Sequence, residues 1–389
     1  MIRGEELAMY NNESLIPANL YLYPSEQRFR DDYRRWQGIP SIAATEKYVY
    51  VNFYSGQEAE VGGNIMVLCR SDNKGERFHS CVAVVEHPHP ECRIYDPNLW
   101  IDPLGRLWMF WTQAHNFNDG RSGVFAAICD NPNADEISFS EPRRIANGVM
   151  MNKPIAMSNG EWLFPCAIWS DNCGAAPTER HGLENEQFSN VYVSADKGET
   201  ITLRGHSDVP DRQFDEHMVI EKKDGTLWML VRTFYGIGES YSSDFGFSWT
   251  DGRPSSLKGP CSRFHISRLK SGRMLLVNHK DFGEQLSKEG IEKQGNVKSW
   301  KGRTNLAAFL SEDDGETWPY SLMLDERADV SYPDADEAGD GYIYITYDRD
   351  RVNEREILMA RITEQDILEG NLISPGSALR MTVNKATGK

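Results

Sequence analysis

Carboxylates, arginines, histidines and a tyrosine fall at matching places in this sequence, in segments that repeat along the chain. One set opens the segments: Asp96, Lys153, the run Asp215-Glu216-His217, Arg263, and Tyr332 with Asp334. A second set lies where the segments turn back: Gln113, Arg232, His279, Asp348 and Arg349. If the segments converge, these side chains meet in one pocket that holds an acid, a base and several cations. A packed core has no use for such charges, because burying an unpartnered charge is costly. They read either as a site for acid–base chemistry on an anionic ligand or as a salt-bridge network that closes the mouth of the fold.

The segments share one form: a few apolar residues, a polar turn that usually carries glycine, then an alternating run rich in Leu, Trp, Met, Val and Tyr. They are DPNLWIDPLGRLWMFW from Asp96, KPIAMSNGEWLFP from Lys153, EHMVIEKKDGTLWMLV from Glu216, RFHISRLKSGRMLLV from Arg263 and YPDADEAGDGYIYITY from Tyr332. A weaker first copy, IPSIAATEKYVYVNFY, starts at Ile39. Period-two alternation around a tight turn predicts a β-hairpin for each. The turn glycines Gly105, Gly160, Gly225, Gly272 and Gly341 lie 47 to 69 residues apart, which leaves room for two further strands per unit. Six units of about four strands predict an all-β fold, a six-bladed β-propeller. We expect one domain over residues 1–389, with 1–30 and 370–389 as terminal extensions or closing strands. In a propeller the innermost strand of each blade starts on one face near the axis and the second strand returns to it. Starts and returns therefore aim at one pocket.

Composition agrees with short strands and frequent turns: 16 Tyr, 16 Phe and 10 Trp stand beside 32 Gly and 18 Pro. A net charge of -16 argues against a nucleic-acid partner. No run approaches the roughly 20 apolar residues of a membrane span, and the start, MIRGEELAMYNNES, lacks the regions of a signal peptide. We therefore expect a soluble, cytoplasmic chain with no membrane partner, or a secreted or periplasmic one if a leader has been removed. An edge-closed propeller needs no second copy to fold. The seven cysteines, 69, 81, 92, 129, 166, 173 and 261, include no CxxC pair and read as reduced thiols. His87 and His89 sit in His-Pro-His-Pro without a second ligand cluster, so no catalytic metal and no cofactor is expected.

A second motif recurs between the hairpins: SADKGETI from Ser194, SSDFGFSW from Ser242 and SEDDGETW from Ser311, with a degenerate SDNKGERF from Ser71. These resemble the Asp box, S-x-D-x-G-x-[ST]-W, of the sialidase (neuraminidase) superfamily, of which this chain looks like a divergent member. The Asp is expected to cap a tight turn, the Gly to take a backbone conformation closed to other residues, and the aromatic to pack between strands. The resemblance reaches the candidate site as well. FDEHMVIEKKDGTLWMLVRT looks like the sialidase stretch that supplies a Glu base and an Arg, which implies Glu216 and Arg232. KGRTNLAAFLSEDDGETW resembles the segment with a further Arg, implying Arg303, and VSYPDADEAGDGYIYITYDRDR falls where the family has its Tyr nucleophile, implying Tyr332. The likeness runs over about residues 30 to 365.

Two departures stand out. The family has Arg-Ile-Pro where this chain reads Gln37-Gly38-Ile39-Pro40, so one of the three arginines that clamp the substrate carboxylate is missing, and Arg263 or Lys153 is expected to restore the charge. The family's acid, an Asp, is replaced in FYSGQEAEVGG by Glu58 and Glu60. Asp96, His217, His279, Arg349 and Gln37 complete the expected substrate contacts, and Trp36, Trp169 and Phe264 are candidates to stack on a sugar ring. A Tyr–Glu pair suits an anionic sugar, because a neutral phenol deprotonated during attack is not repelled by a carboxylate. The planar fork of arginine matches that carboxylate in geometry and charge. The resemblance thus implies a sialidase-like exo-acting glycoside hydrolase that removes a terminal acidic sugar from a glycan. The alternatives are a polysaccharide lyase acting on a uronate-containing glycan and a non-catalytic glycan-binding propeller.

Overall fold

Every predicted hairpin forms the inner pair of an antiparallel sheet, and six such sheets follow one another along the chain. The computed structural model describes residues 12–171, 177, 179–282 and 302–389. The inner strands are Trp36–Ala44, Cys92–Ile101, Ile155–Ala156, Met218–Glu221, His265–Arg268 and Val330–Glu337, one per blade. Each pairs with the strand that follows it in sequence, and two outer strands complete a four-stranded blade. The fold is the all-β, six-bladed propeller that the repeat predicts. The five turn glycines have φ of 81, 88, 86, 89 and 83°, the left-handed conformation that the last residue of a three-residue hairpin loop requires, as in Asp102–Arg106, where Asp102 N donates to Arg106 O and Gly105 N to Asp102 O.

The first blade has a fifth strand, Asn19–Leu22, on its outer edge against His79–Glu86. The last blade ends with Ala378–Lys385, and the chain beyond it returns to the first blade. There Thr387 N donates to Asp31 O and Gly388 N to Arg34 O at 2.8 and 2.9 Å. Asn19–Leu22 and Ala378–Lys385 are edge strands, and the tail after the latter closes on the first blade; residues 1–11 lie outside the described part. A short α-helix, Glu364–Glu369, is held by a capping box on Thr363 and a left-handed Gly370. Among the described residues no helix is long and apolar enough to cross a membrane. The six cysteines described there are free thiols, and Cys173 lies outside the described residues.

The core lies between neighbouring blades. Trp100, Trp108, Phe110, Trp162 and Phe164 interlock across blades two and three, with Trp108 stacked on Phe110 and the edge of Trp100 on Trp162. The Asp boxes serve this seam. Ser194 Oγ donates to Asp196, whose carboxylate accepts from Thr200 N and Oγ1 at 2.9 and 2.6 Å. Gly198, at φ 91°, lies where a β-carbon would stand 2.5 Å from Trp108 of the preceding blade. The same turn recurs at Ser242 and Ser311, and the degenerate copy keeps it with Asn73 in the place of the Asp.

Candidate active site

At the start of the inner strand in blades one, two and six the ladder slips: the register shifts between Gly38 and Ser41, Tyr95 and Asn98, and Ser331 and Asp334. Inside each slip stands a residue followed by proline, Ile39, Asp96 or Tyr332, with φ of 56, 46 and 55°. Such bulges re-aim a side chain that regular pleating would send elsewhere, at the cost of a strained backbone. In blade four Phe214, Asp215 and Glu216 also have positive φ, at 59, 55 and 43°. Ile39, Asp96, Phe214, Glu216 and Tyr332 all line one axial cavity of about 210 Å³.

Three buried side chains in this cavity form a closed hydrogen-bonded unit. Tyr332 Oη donates to Glu216 Oε1 at 2.7 Å, while Arg232 Nη1 donates to both oxygens, at 2.8 Å to the phenol and 2.5 Å to the carboxylate. Glu216 Oε2 is buried without a hydrogen-bond partner. Burial pushes the Tyr332 phenol up, with Arg232 opposing, so the resting tyrosine is neutral. Arg303 stands with its guanidinium 5.2 Å from the Tyr332 ring centre, and burial lowers its pKa.

The expected third cation is present, but from another part of the chain. Arg351 has its guanidinium 4.3 Å from the Tyr332 ring centre and pairs with Asp348 at 2.8 Å and Glu60 at 3.2 Å. It occupies the space a side chain at residue 38 would fill: a β-carbon on Gly38 would lie 2.6 Å from Arg351 Cδ. The expectation that Arg263 or Lys153 restores the charge is therefore corrected. Both are held beneath the pocket by Asp334, Lys153 Nζ at 2.7 Å and Arg263 Nη2 at 3.6 Å, and Arg263 Nε also donates to Asn152. Lys153 lines a separate cavity of about 440 Å³ at the opposite ends of the inner strands.

Other candidates separate in the same way. Glu60 lines the pocket and Glu58 is exposed away from it. Asp96 lines it too, and burial pushes its carboxyl up to about 8, with the Glu60 charge adding and Arg93 opposing. His217 is buried against Asn190 O and His279 against Thr304 O, both outside the lining and both lowered to about 4 by burial. Arg349 pairs with Glu356 on the blade's outer side. Gln37 bonds Arg34 and the Arg355 carbonyl. Of the aromatic candidates Trp169 lines the cavity, whereas Trp36 and Phe264 are packed in core clusters. Arg93, Phe117 and Gln213 also line it and lie outside every motif of the sequence, whereas a repeated X-Pro marks the bulged positions Ile39, Asp96 and Tyr332. The histidine loop does gain company: Glu13 and His115 stand beside His89, but His89 is paired with Glu13 and His115 with Glu91, away from the cavity.

Comparison with known proteins agrees with this architecture. Residues 49–345 match the BNR repeat-like domain. No curated protein matches the chain. Among solved structures, the Hadza microbial sialidase Hz136 is 18% identical with a TM-score of 0.61, over 82% of this chain and 64% of that one. This chain thus spans just under two thirds of Hz136. The intramolecular trans-sialidase from Ruminococcus gnavus, in complex with oseltamivir carboxylate, is 12% identical with a TM-score of 0.61, over 92% of this chain and 99% of that one. A protein of unknown function from Dyadobacter fermentans is 15% identical with a TM-score of 0.60, over 86% and 96%. At these identities the likeness is one of fold.

Proposed function

The chain belongs to the BNR repeat-like domain family, and from its axial pocket we propose that it is an exo-acting glycoside hydrolase that removes a terminal acidic sugar from a glycan. The observation that carries this reading is the buried Tyr332–Glu216–Arg232 unit, a neutral phenol hydrogen-bonded to a carboxylate and flanked by three arginines. A structural network would satisfy its members, whereas here Glu216 Oε2 is left without a partner. The sialidases among the structural neighbours agree with the reading at the level of fold.

In the proposed reaction the substrate carboxylate sits against Arg232, Arg303 and Arg351. Tyr332 Oη attacks the anomeric carbon while its proton passes to Glu216 Oε1, and the bond from that carbon to the leaving oxygen breaks. The leaving oxygen takes a proton from the Asp96–Glu60 pair. Burial and the Glu60 charge keep that proton on Asp96 below pH of about 8. Water then cleaves the tyrosyl glycoside with the proton flow reversed, so the two displacements return the sugar with its original configuration. Glu60 also tethers Arg351, which couples the acid side of the pocket to the clamp.

The test is a panel of fluorogenic glycosides, neutral, uronic and α-sialosidic, assayed with the unmodified protein and with Tyr332→Phe. We expect release from an acidic glycoside only, abolished in the variant. Release from neutral glycosides at equal rates would remove the carboxylate clamp from the mechanism. A product with a new ultraviolet-absorbing double bond would identify a lyase instead.

A further inference from the structure

One wall of the same cavity carries a second set of buried donors that the proposed reaction does not use. Arg93 is 1% exposed, lines the cavity, and has no carboxylate within ion-pair distance among the described residues. Its guanidinium lies over the rings of Tyr95 and Phe117, 3.7 and 4.2 Å from their centres, which leaves only its edge for hydrogen bonding. Nη2 uses that edge to reach Phe117 O at 2.8 Å, but Nε and Nη1 are buried with no partner. Trp169, 4% exposed, lines the same wall and its indole Nε1 is also buried without a partner. The two donors are joined through shared rings: Trp169 lies 6.0 Å from Phe117 and 6.2 Å from Tyr95.

An unpaired buried guanidinium is expensive, and a carboxylate placed beside it would relieve that cost at once. Asp96, an acid of the same cavity that feels the Arg93 charge, is held protonated at neutral pH and so leaves that charge in place. Arg232 and Arg351, by contrast, are each paired with a carboxylate in the resting protein. The wall is therefore prepared for an oxyanion that arrives with the ligand.

We propose that Arg93 and Trp169 form a second anion subsite, so that the sugar this pocket prefers carries two anionic groups, one on the Arg232–Arg303–Arg351 clamp and one on Arg93. Both a carboxylate and a sulfate ester have the oxygens to accept three N–H donors. The inference rests on the proposed function, since it takes the first carboxylate to lie on the clamp.

Isothermal titration separates the two. The probes are N-acetylneuraminate, with one carboxylate, its derivative with the glycerol side chain oxidised to a second carboxylate, and glucuronate with and without a sulfate ester. With the unmodified protein we expect at least one dianionic probe to bind tenfold or more tightly than its monoanionic parent. The carboxylate and sulfate arms tell which oxyanion is preferred. Arg93→Gln should abolish that ratio, Arg93→Lys should keep part of it, and Arg303→Gln should weaken every probe. If the monoanions bind in an Arg303-dependent way but no dianion binds more tightly, the second subsite is overturned and the clamp stands. A ratio that survives in Arg93→Gln also overturns it. If no probe depends on Arg303, the clamp falls and the subsite with it. Melting curves of each variant report folding, and a lower melting temperature in Arg93→Gln with an unchanged ratio would make Arg93 a structural residue.

Discussion

The Asp-box turns at the rim and the axial pocket are built from the same groups, carboxylates beside hydroxyls and N–H donors, with opposite electrostatic results. In the turns Asp196, Asp244 and Asp313 each accept from the Ser two residues before and from the backbone and side chain of the Thr or Ser four residues later, and these bonds lower all three to about 2. Each of these carboxylates is satisfied by its own turn, while the Ser that serves it is buried. In the pocket the chain is strained at Asp96, Glu216 and Tyr332, Asp96 is raised to about 8, and oxygen and nitrogen atoms of Glu216, Arg93 and Trp169 stay unpaired. Local satisfaction stabilises a fold, and unsatisfied groups held rigidly by that fold are what a ligand can complete.

The sharpest way to break the comparison is Glu216→Gln. It should lower turnover about 10²- to 10⁴-fold with the melting temperature retained, because it removes the base and little volume. Turnover within a few-fold of the unmodified protein would take Glu216 out of the mechanism.

The next largest effect concerns the displaced arginine. Arg351→Gly should weaken transition-state binding by about 2 to 5 kcal/mol, as truncating one partner of a buried charged contact does. Gly38→Arg alone should also be impaired, since its β-carbon meets Arg351. The double variant, with arginine moved back to residue 38, should recover part of the loss, and kcat/KM of the four proteins measures that coupling. Strict additivity would mean the two positions do not share one space.

A pH experiment probes the raised carboxyl. The folded value of about 8 lies above the ordinary 3.8, so the native state holds a proton that the unfolded chain has lost. Stability should therefore fall as pH rises from about 4 to 8, by at most about 1.4 kcal/mol per pH unit, and Asp96→Asn should flatten that slope. The Asp-box carboxylates have the reverse sign: their contribution is full above about pH 4 and is lost as pH falls toward 2. Denaturant unfolding across pH checks both.

The smallest effect is expected from Asp244→Ala, a loss of about 1 kcal/mol of stability through one turn cap, with catalytic constants unchanged. Loss of activity without a melting shift would bring the rim into the chemistry.

Much of the architecture was legible because it is written in short-range terms. Period-two alternation around Gly105, Gly160, Gly225, Gly272 and Gly341 sets the hairpins, and the Asp-box spacing satisfies its own turn whatever the rest of the chain does. Tyr332, Glu216, Arg232 and Arg303 were found through a resemblance tied to those same strands. Arg263 and Lys153 were misplaced because charge alone does not say at which depth along the axis a side chain lies, and Asp334 holds both beneath the pocket.

What the sequence by itself determined, then, is the six hairpins and their turns, which follow from backbone geometry within a few residues, and, through the family resemblance alone, the Tyr–Glu–Arg segments. Only the tertiary structure decided that the arginine missing at Gly38 is supplied by Arg351, and that Arg93 and Trp169 share a wall of unpaired donors. Ring closure sets blade six against blade one and brings together residues that no local rule relates. Side-chain space and unpaired donors exist only once that closure has occurred.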